Sequence, residues 1–326
     1  MTVLHRLLVR MLSGAGLLAC LAAPAHAAGF PEKPITIIVP YTPGGSSDVV
    51  ARLLGQQLAA ELKQSIVVEN KPGAGATLGT TLVAKAPADG YTVLLADNAQ
   101  TTAPSLYPRL PYDAVKSFQA LGMVGIAPAM LLSNQQSGLR SVRDMRDDAE
   151  RNRKGYTIGV GSGSPSHLIS ALFQRRSELN LMMVPYKGAS QAATDVLGGQ
   201  IDLIFTNPAS AAQYLQSGRM NAIGMTGTAR LPTLPEVATF QEQGVKGLEN
   251  VKYWFAMLAP AGLPREVGDK WEEALAATLA NPDVKRRLSE LGITQVAMTP
   301  DALQRFIADD RDTWANVVKD NGMQLQ

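Results

Sequence analysis

The chain has 326 residues, of which 46% are hydrophobic and 18% charged, with 30 Lys and Arg against 28 Asp and Glu. This near-neutral composition argues against a nucleic acid or an anionic membrane surface as partner. One Cys and three His leave few residues for disulfides, thiol catalysis, iron–sulfur clusters or a zinc site. The sequence therefore offers few candidate catalytic residues, and we expect neither a metal nor another cofactor.

Residues 1–27 have the pattern of a secretory signal peptide. Arg6 and Arg10 form a basic start, an apolar run follows, and Ala25-His26-Ala27 fits the small-x-small cleavage pattern. The apolar run is too short to span a bilayer. Cleavage would leave a periplasmic chain without cysteine and with His167 as its one histidine. The alternative is a lipoprotein anchored through Cys20, because the preceding Leu-Leu-Ala loosely resembles a lipobox.

In the first part of the mature chain, short apolar runs alternate with segments of helical period. The runs are ITIIV (35–39), SIVVEN (65–70) and YTVLLA (91–96), and we expect helices up to Leu62 and over 77–85. This alternation predicts parallel sheets covered by helices. In the tract 97–118, three prolines argue against a long helix.

A second alternating series follows. Its apolar runs are YTIGV (156–160), MMVPY (182–186), IDLIF (201–205) and MNAIGM (220–225), with helices predicted over 166–179, 190–197 and 210–216. The run YWFAMLAP then leads to three helical segments, the last capped by Thr299. Two such series joined by two crossings predict two lobes with a cleft between them. The predicted division is residues 28–128 with 228–326 for the first lobe, and 129–227 for the second.

Three predicted strand-to-helix joints have similar chemistry: TPGGSSD (42–48), GSGSPSH (161–167) and YKGAS (186–190). Glycine lets the backbone approach a ligand closely, and the free N–H groups and dipole of the following helix favour an anion. We expect Gly44 and Gly45 to present backbone N–H groups, Ser46 or Ser47 to cap the helix, and Asp48 to complement its dipole. The alternative is that these residues are ordinary turn and cap residues.

Local patterns raise two alternative functions, dinucleotide binding and hydrolysis. The segment KPGAGATLG (71–79) is one residue away from a dinucleotide fingerprint, but it does not follow the first strand, so a tight loop facing the cleft is expected. A hydrolase could use Ser164 or Ser166 with His167, although a G-x-S-x-G nucleophile elbow is missing there. For Tyr41 and Trp254, core and cleft positions are equally expected.

The chain resembles a known family in several segments, in matching order from Phe30 to the C-terminus. These segments are FPEKPITIIVPYTPGGSSDVVARLL, VVENKPGAGATLGT, ADGYTVLLADN, SLYPRLPYDAVKSF, GSGSPSHLISALF, VPYKGASQAATDVLGGQIDLIF and LAPAGLP. They resemble the Bug family of periplasmic substrate-binding proteins of the tripartite tricarboxylate transporter type. The resemblance implies an α/β protein of the type II periplasmic-binding fold. Two Rossmann-like lobes would close by hinge motion on a small carboxylate.

The resemblance also implies a binding protein and no enzyme activity. The ligand would be a di- or tricarboxylate or an aromatic acid, and the protein would act as a monomer without nucleic acid. Its partners would be the membrane permease subunits of a tripartite transporter. The alternative is a sensor that presents its ligand to a signalling partner such as a sensor kinase.

The candidate ligand-binding residues are Tyr41, Pro43, Gly44, Gly45, Ser46, Asn98, Ser162, Ser164, Ser166, His167, Tyr186, Lys187, Gly188, Ala189 and Thr206. One departure from the family affects the ligand class. Many members have Phe-Asp-Asn where this chain has Phe205-Thr206-Asn207. Because Thr206 has no charge with which to hold an ammonium group, the sequence predicts a ligand without an α-amino group.

Overall fold

The computed structural model describes residues 29–107, 109–152, 155–161, 164–186 and 189–320. The predicted signal peptide and the lipid anchor at Cys20 lie outside the described residues, as do Ser162, Lys187 and Gly188. Within these ranges, no helix combines the length and the apolar character needed to cross a membrane.

The first part of the chain alternates between strands and helices, as its sequence pattern predicts. Its elements are β1 (Ile35–Val39), α1 (Ser46–Leu62), β2 (Ile66–Asn70), α2 (Thr77–Ala84), β3 (Thr92–Asp97), α3 (Ala99–Leu106) and β4 (Phe118–Pro128). A short 3-10 turn, Ala74–Ala76, precedes α2. The continuous apolar runs are explained by burial on both faces of the sheet. In β1, for example, Ile35, Ile37, Ile38 and Val39 are all buried.

The second part has the same alternating character. Its elements are β5 (Met130–Asn134), the 3-10 turn Gln135–Ser137, α4 (Val142–Asn152), β6 (Tyr156–Gly161), α5 (Pro165–Ser177), β7 (Leu181–Tyr186), α6 (Ala189–Leu197), β8 (Leu203–Thr206), α7 (Pro208–Gln216) and β9 (Met220–Met225). The chain returns through β10 (Lys252–Pro260) and ends its described part with α8 (Arg265–Ala280), α9 (Pro282–Glu290) and α10 (Pro300–Asp320).

The strands form two five-stranded sheets, in the orders β2-β1-β3-β10-β4 and β7-β6-β8-β5-β9. β1 pairs in parallel with β2 and β3, and β6 pairs in parallel with β7 and β8. The prediction of parallel sheets covered by helices holds for these pairs, but each sheet also contains antiparallel pairs. β10 is antiparallel to β3 and β4, and β5 is antiparallel to β8 and β9. Each sheet is mixed because β5 and β10 enter it directly from the other lobe, without a crossover helix that would restore the parallel direction.

The chain passes from the first sheet to the second at Ala129, the single residue between β4 and β5. Ala129 N donates to Thr226 Oγ1 at 2.8 Å, and Thr226 N donates to Ala129 O at 2.9 Å. Both residues are buried. The first crossing is thus bonded to the end of β9, the last strand of the second sheet.

The segment after β9 packs on the second sheet. The ring of Phe240 contacts those of Phe173 and Phe205, with centroids 5.0 and 6.0 Å apart. The sequence-based division assigned this segment, from residue 228, to the first lobe. We propose that the second lobe extends to about Lys252, where β10 begins, because residues 228–251 contribute to its core.

The C-terminal helices cover the first lobe. In α8, Trp271 and Leu275 are buried, and Trp271 Nε1 donates to Gly90 O at 3.1 Å. Thr299 Oγ1 accepts from Ala302 N at 3.2 Å, which confirms the predicted cap of the last helix.

Candidate functional site

A cavity of about 430 Å³ lies between the two lobes, at the carboxyl ends of β1, β3, β6, β7 and β8. We call it the cleft. Its lining comes from both lobes: Pro40–Ser47, Pro72, Gly73, Gly75, Ala76, Asp97, Leu132, Gly161, Ser164–Ser166, Tyr186, Ala189, Ser190, Ala193, Ile204–Asn207, Ser210, Gln213, Tyr214 and Tyr253. Ligands of open α/β sheets bind in this position, beyond the carboxyl ends of the strands.

The first joint, between β1 and α1, brings its two glycines into the cleft wall. Gly44 adopts a φ of +84°, which favours glycine, and Gly45 is the N-cap of α1. The expectation that Ser46 or Ser47 caps this helix is wrong, because no side chain caps it. Ser46 and Ser47 instead hydrogen-bond to other parts of the cleft wall, as described below. The early N–H groups of α1 lie at the cleft, where an anion could accept from them.

Asp48 holds the first joint in place from behind. Its Oδ2 accepts from Gly44 N at 3.0 Å, and its Oδ1 accepts from Asn70 Nδ2 at 3.0 Å. Arg52 pairs with the same carboxylate at 2.9 Å. Burial raises the pKa of Asp48, but the bonds from Arg52, Gly44 and Asn70 outweigh it and leave this pKa below its ordinary value. The N–H of Gly44 is therefore engaged with Asp48, which leaves the first turn of α1 to meet a ligand.

Asp97 lies at the end of β3 and forms part of the cleft wall. Its Oδ1 accepts from Tyr41 Oη at 2.8 Å and from Ala99 N at 2.9 Å, and its Oδ2 accepts from Ser47 Oγ at 3.4 Å. Burial raises the pKa of Asp97 to about 6, against the opposing effect of these hydrogen bonds. Sequence reasoning missed this residue, although an Asp directly after a buried apolar strand is a signal that could have revealed it.

The second joint, between β6 and α5, is held by hydroxyl groups. The Oγ atoms of Ser164 and Ser166 are 2.8 Å apart, and Ser166 Oγ accepts from Gly161 N at 3.3 Å. A Cβ on Gly161 would come within 2.7 Å of Ser164 Oγ, so a larger residue there would force the Ser164 side chain to move. Ser164 and Ser166 both line the cleft.

His167 does not belong to the cleft lining. Burial lowers the pKa of its imidazole, and its Nδ1 has no hydrogen-bond partner among the described residues. The two serine hydroxyl groups bond to each other rather than to this imidazole. A Ser–His pair of the kind a hydrolase needs is thus not formed in the described part of the chain.

The third joint and the end of β8 complete the wall of the second lobe. Tyr186 Oη donates to Asp195 Oδ2 at 2.6 Å, which fixes its ring, and this bond raises the pKa of Tyr186 to about 12. Ala189, the first residue of α6, also lines the cleft, and so does Thr206, whose side chain is mostly buried.

Two hydrogen bonds join the lobes among the described residues: Arg175 Nη1 donates to Asp320 O at 3.1 Å away from the cleft lining, and a side-chain bond lies at the cleft. Asn207 caps α7 by accepting from Ser210 N at 3.0 Å, and its Nδ2 donates to Ser46 Oγ at 2.7 Å. Ser46 belongs to the first turn of α1, in the other lobe. We call this Ser46–Asn207 bond the latch.

Two aromatic and amide candidates lie outside the cleft. Asn98 is buried, its Nδ2 donates to Lys252 O at 3.0 Å, and its Oδ1 accepts from Trp254 N at 3.0 Å. It therefore ties β3 to β10 near the second crossing. Trp254 is in the core, where its Nε1 donates to Asp310 at 3.0 Å. Tyr41 and Pro43, by contrast, line the cleft, and so does the glycine-rich loop at Pro72–Ala76.

The chemistry of the cleft is that of helix N-termini. The helices α1, α5 and α6 begin at residues of its lining, and Asn207, the N-cap of α7, also belongs to the lining. Among the described lining residues there is no Lys or Arg, and Asp97 is the one carboxylate. No cluster of three potential metal-binding side chains occurs in the ranges that the structure describes. The arrangement can hold an anion through backbone N–H groups and hydroxyls.

Comparison with known proteins identifies the family of this chain. The sequence profile of the tripartite tricarboxylate transporter family receptor matches residues 50–323. The chain belongs to this receptor family. The Bug-family resemblance is confirmed by the BugT protein of Bordetella pertussis, which is 34% identical over 309 residues, 94% of each chain.

Solved structures of similar proteins share the fold of this receptor. An R. palustris protein solved with adipate is 29% identical, with a TM-score of 0.86 over 91% of the receptor and 100% of that chain. MatC from Rhodopseudomonas palustris, solved with bound malate, is also 29% identical, with a TM-score of 0.81 over 89% of the receptor and 100% of that chain. The predicted two-lobed α/β fold is confirmed.

Proposed function

We propose that this receptor captures a small organic carboxylate in the cleft and presents it to the membrane subunits of a tripartite transporter. The observation that carries the proposal is the convergence of four helix N-termini on a cleft whose described lining has no cationic side chain. Backbone N–H groups and helix dipoles stabilise a carboxylate without a salt bridge. The malate and adipate bound by similar proteins belong to the same chemical class.

The size of the cleft supports a small ligand. A cavity of about 430 Å³ is at the lower end of the range for small-molecule sites. Di- and tricarboxylates and simple aromatic acids fit this volume. Since Thr206 lies in the lining and carries no charge, we keep the prediction that the ligand lacks an α-amino group.

The partner and the compartment follow from the same family. Its description as a transporter receptor favours permease subunits over a sensor kinase as partner. The predicted signal peptide would deliver the receptor to the periplasm, where it would act as a monomer and catalyse no reaction. Of the predicted ligand contacts, Tyr41, Pro43, Gly44, Gly45, Ser46, Ser164, Ser166, Tyr186, Ala189 and Thr206 line the cleft and form the proposed binding site.

Thermal unfolding with a panel of ligands tests the proposal. We expect C4 to C8 mono-, di- and tricarboxylates to raise the melting temperature, whereas the matching amides should not. A ligand at about 100 times its Kd adds about 2.7 kcal/mol to the free energy of unfolding. The panel should include succinate with aspartate, and glutarate with glutamate, to test the role of Thr206. No shift with any carboxylate would refute the proposal.

A further inference from the structure

Asp97 is unexpected in a site that binds anions, because an ionised carboxylate repels an anionic ligand. It is a buried carboxylate in the wall of the cleft, and the described lining offers no Lys or Arg to neutralise it. Asp48, which has a structural role, lies behind the cleft wall. Asp97 instead faces the same cavity as the helix N-termini that we propose bind the ligand.

The hydrogen bonds of Asp97 place it next to the anion-binding joint. Ser47, in the first turn of α1, donates to Asp97 Oδ2, and Tyr41, at the end of β1, donates to Oδ1. A ligand carboxylate that accepts from the first turn of α1 therefore lies close to Asp97. Two carboxylates in a buried, shared environment cannot both stay ionised without a large cost, so one of them binds a proton.

Other charged groups around Asp97 are engaged elsewhere. On α1, Asp48 pairs with Arg52 at 2.9 Å. Beyond α3, Asp310 interacts with Lys252 and accepts from Thr101 Oγ1 at 2.6 Å. The sequences of β1, β4 and α2 contain no charged residue. Among the residues that the structure describes, the remaining ionisable groups beside Asp97 are the phenols of Tyr41 and Tyr253, for which burial raises the pKa, so both stay neutral.

We propose that Asp97 takes up one proton from solvent when a carboxylate enters the cleft, so that ligand capture is coupled to proton binding. The inference rests on the proposed function. In this step the ionised Asp97 takes one proton from solvent and becomes a neutral carboxylic acid. The ligand carboxylate remains ionised and is bound beside it. The acid hydrogen then becomes a donor, in a cleft wall that would otherwise present a second negative charge.

Burial places this step in an accessible pH range. The pKa of Asp97 in the ligand-free receptor is raised to about 6, so the group is mainly ionised at pH 8 and half protonated near pH 6. With complete coupling, affinity falls tenfold for each pH unit above this pKa. We therefore expect about 50-fold weaker binding at pH 8 than at pH 6.

Isothermal titration calorimetry with adipate and with malate tests the inference. Titrations of the full receptor at pH 6 and pH 8, each in two buffers of different ionisation enthalpy, give the affinity and the number of protons taken up. At pH 8 we expect uptake of about one proton per ligand. Asp97→Asn keeps the shape of the side chain and should make the affinity independent of pH, with no proton uptake. Asp310→Asn is the matched control, because Asp310 is a half-buried acid outside the cleft lining, and it should retain the wild-type behaviour.

Three outcomes would overturn the inference. The first is binding of these acids to the wild-type receptor without proton uptake, a result that does not depend on any variant. The second is an unchanged pH dependence in Asp97→Asn. The third is tighter binding of aspartate than of succinate without proton uptake, which would make Asp97 the acceptor of a ligand ammonium. In all three the proposed function survives, whereas failure of every carboxylate to bind at both pH values would remove both proposals.

Discussion

The two main joints of the cleft are built from similar residues but are held in different ways. The joint of the first lobe is fixed by carboxylates, since Asp48 binds Gly44 and Asn70 while Asp97 binds Tyr41 and Ser47. In the second lobe, the described residues of the joint are held by the Ser164–Ser166 hydroxyl pair and its bond to Gly161 N.

This difference indicates different tasks for the two lobes. Hydrogen bonds to charged groups are about twice as strong as bonds between neutral groups. The first joint is therefore organised before a ligand arrives. Ligand binding does not have to provide the free energy that orders it. The second joint can adjust its hydroxyl groups to the ligand. We infer that the first lobe binds the common carboxylate group and the second lobe adapts to the rest of the molecule.

The largest expected effect is on binding, through Gly45→Val. Gly45 has an ordinary φ of −76°, and an added Cβ would meet only Thr42 O at 3.7 Å, so the fold should tolerate the change. The valine side chain would occupy the position of the ligand at the start of α1. We expect calorimetry to show at least a 1000-fold loss of carboxylate affinity, about 4 kcal/mol. The melting temperature should fall by only a few degrees, because valine is a poorer N-cap residue than glycine.

The control for this variant is Gly29→Val, at a position with no atom within 4 Å of an added Cβ. It lies outside the cleft lining and should bind as the wild type does. Retained affinity in Gly45→Val would mean that the first joint is not the anchor of the ligand.

The second largest effect should be on stability, through Asp48→Ala. The change leaves Gly44 N and Asn70 without their acceptor, and bonds to a charged group contribute about 1.5–3 kcal/mol each. Because Arg52 is 53% exposed, its share is small. We expect a loss of about 3 kcal/mol in urea unfolding at pH 7. The pKa of Asp48 is lowered in the fold, so its contribution is present at neutral pH and is lost as the pH falls below about 4.

Ser164→Ala makes the matching change in the second joint and should cost under about 1 kcal/mol, because only neutral hydroxyl bonds are removed. Equal losses in the two variants would show that the joints do not differ in the way described.

The last expected effect is on closure and concerns the latch, the Ser46–Asn207 bond between the two lobes. Ser46→Ala removes the acceptor of the bond from Asn207 and should cost about 1 kcal/mol. The ligand-free receptor should then populate more open forms, seen as a larger radius of gyration in small-angle scattering, while saturating ligand should restore the compact form. Ser190→Ala, at another cleft serine, should leave the scattering unchanged. If Ser46→Ala does not change it either, the latch has no part in closure.

Much of the fold was readable in the sequence because buried parallel strands are continuous apolar runs. The predictions of β1, β3, β6 and β8 depended on this feature. The strands β4 and β5 were missed because FQALGMVGIAP and MLLSN follow each other with one residue between them, without a turn signal at the crossing. The mixed sheet directions follow from that crossing and have no local signal.

Part of the cleft lining could also be predicted from local sequence. Glycine and serine at strand ends mark close backbone approach, so Gly44, Gly45, Ser164 and Ser166 were found locally. Contacts between distant segments could not be found in this way. The bond of Asn207 to Ser46 and those of Tyr41 and Ser47 to Asp97 join residues 161, 56 and 50 positions apart. Asn98 was misplaced because its partners on β10 lie more than 150 positions away.

The strand orders of the two sheets have a consequence for the sequence of events during folding. The second sheet uses one uninterrupted stretch of chain, from β5 to β9, and can assemble as soon as that stretch is available. In the first sheet, β10 lies between β3 and β4, although it is the last strand to be synthesised. The edge strand β4 therefore has no partner in its sheet until Lys252–Pro260 arrives. Such non-local pairing is slow, so a chain that becomes available from its N-terminal end would complete its second lobe before its first.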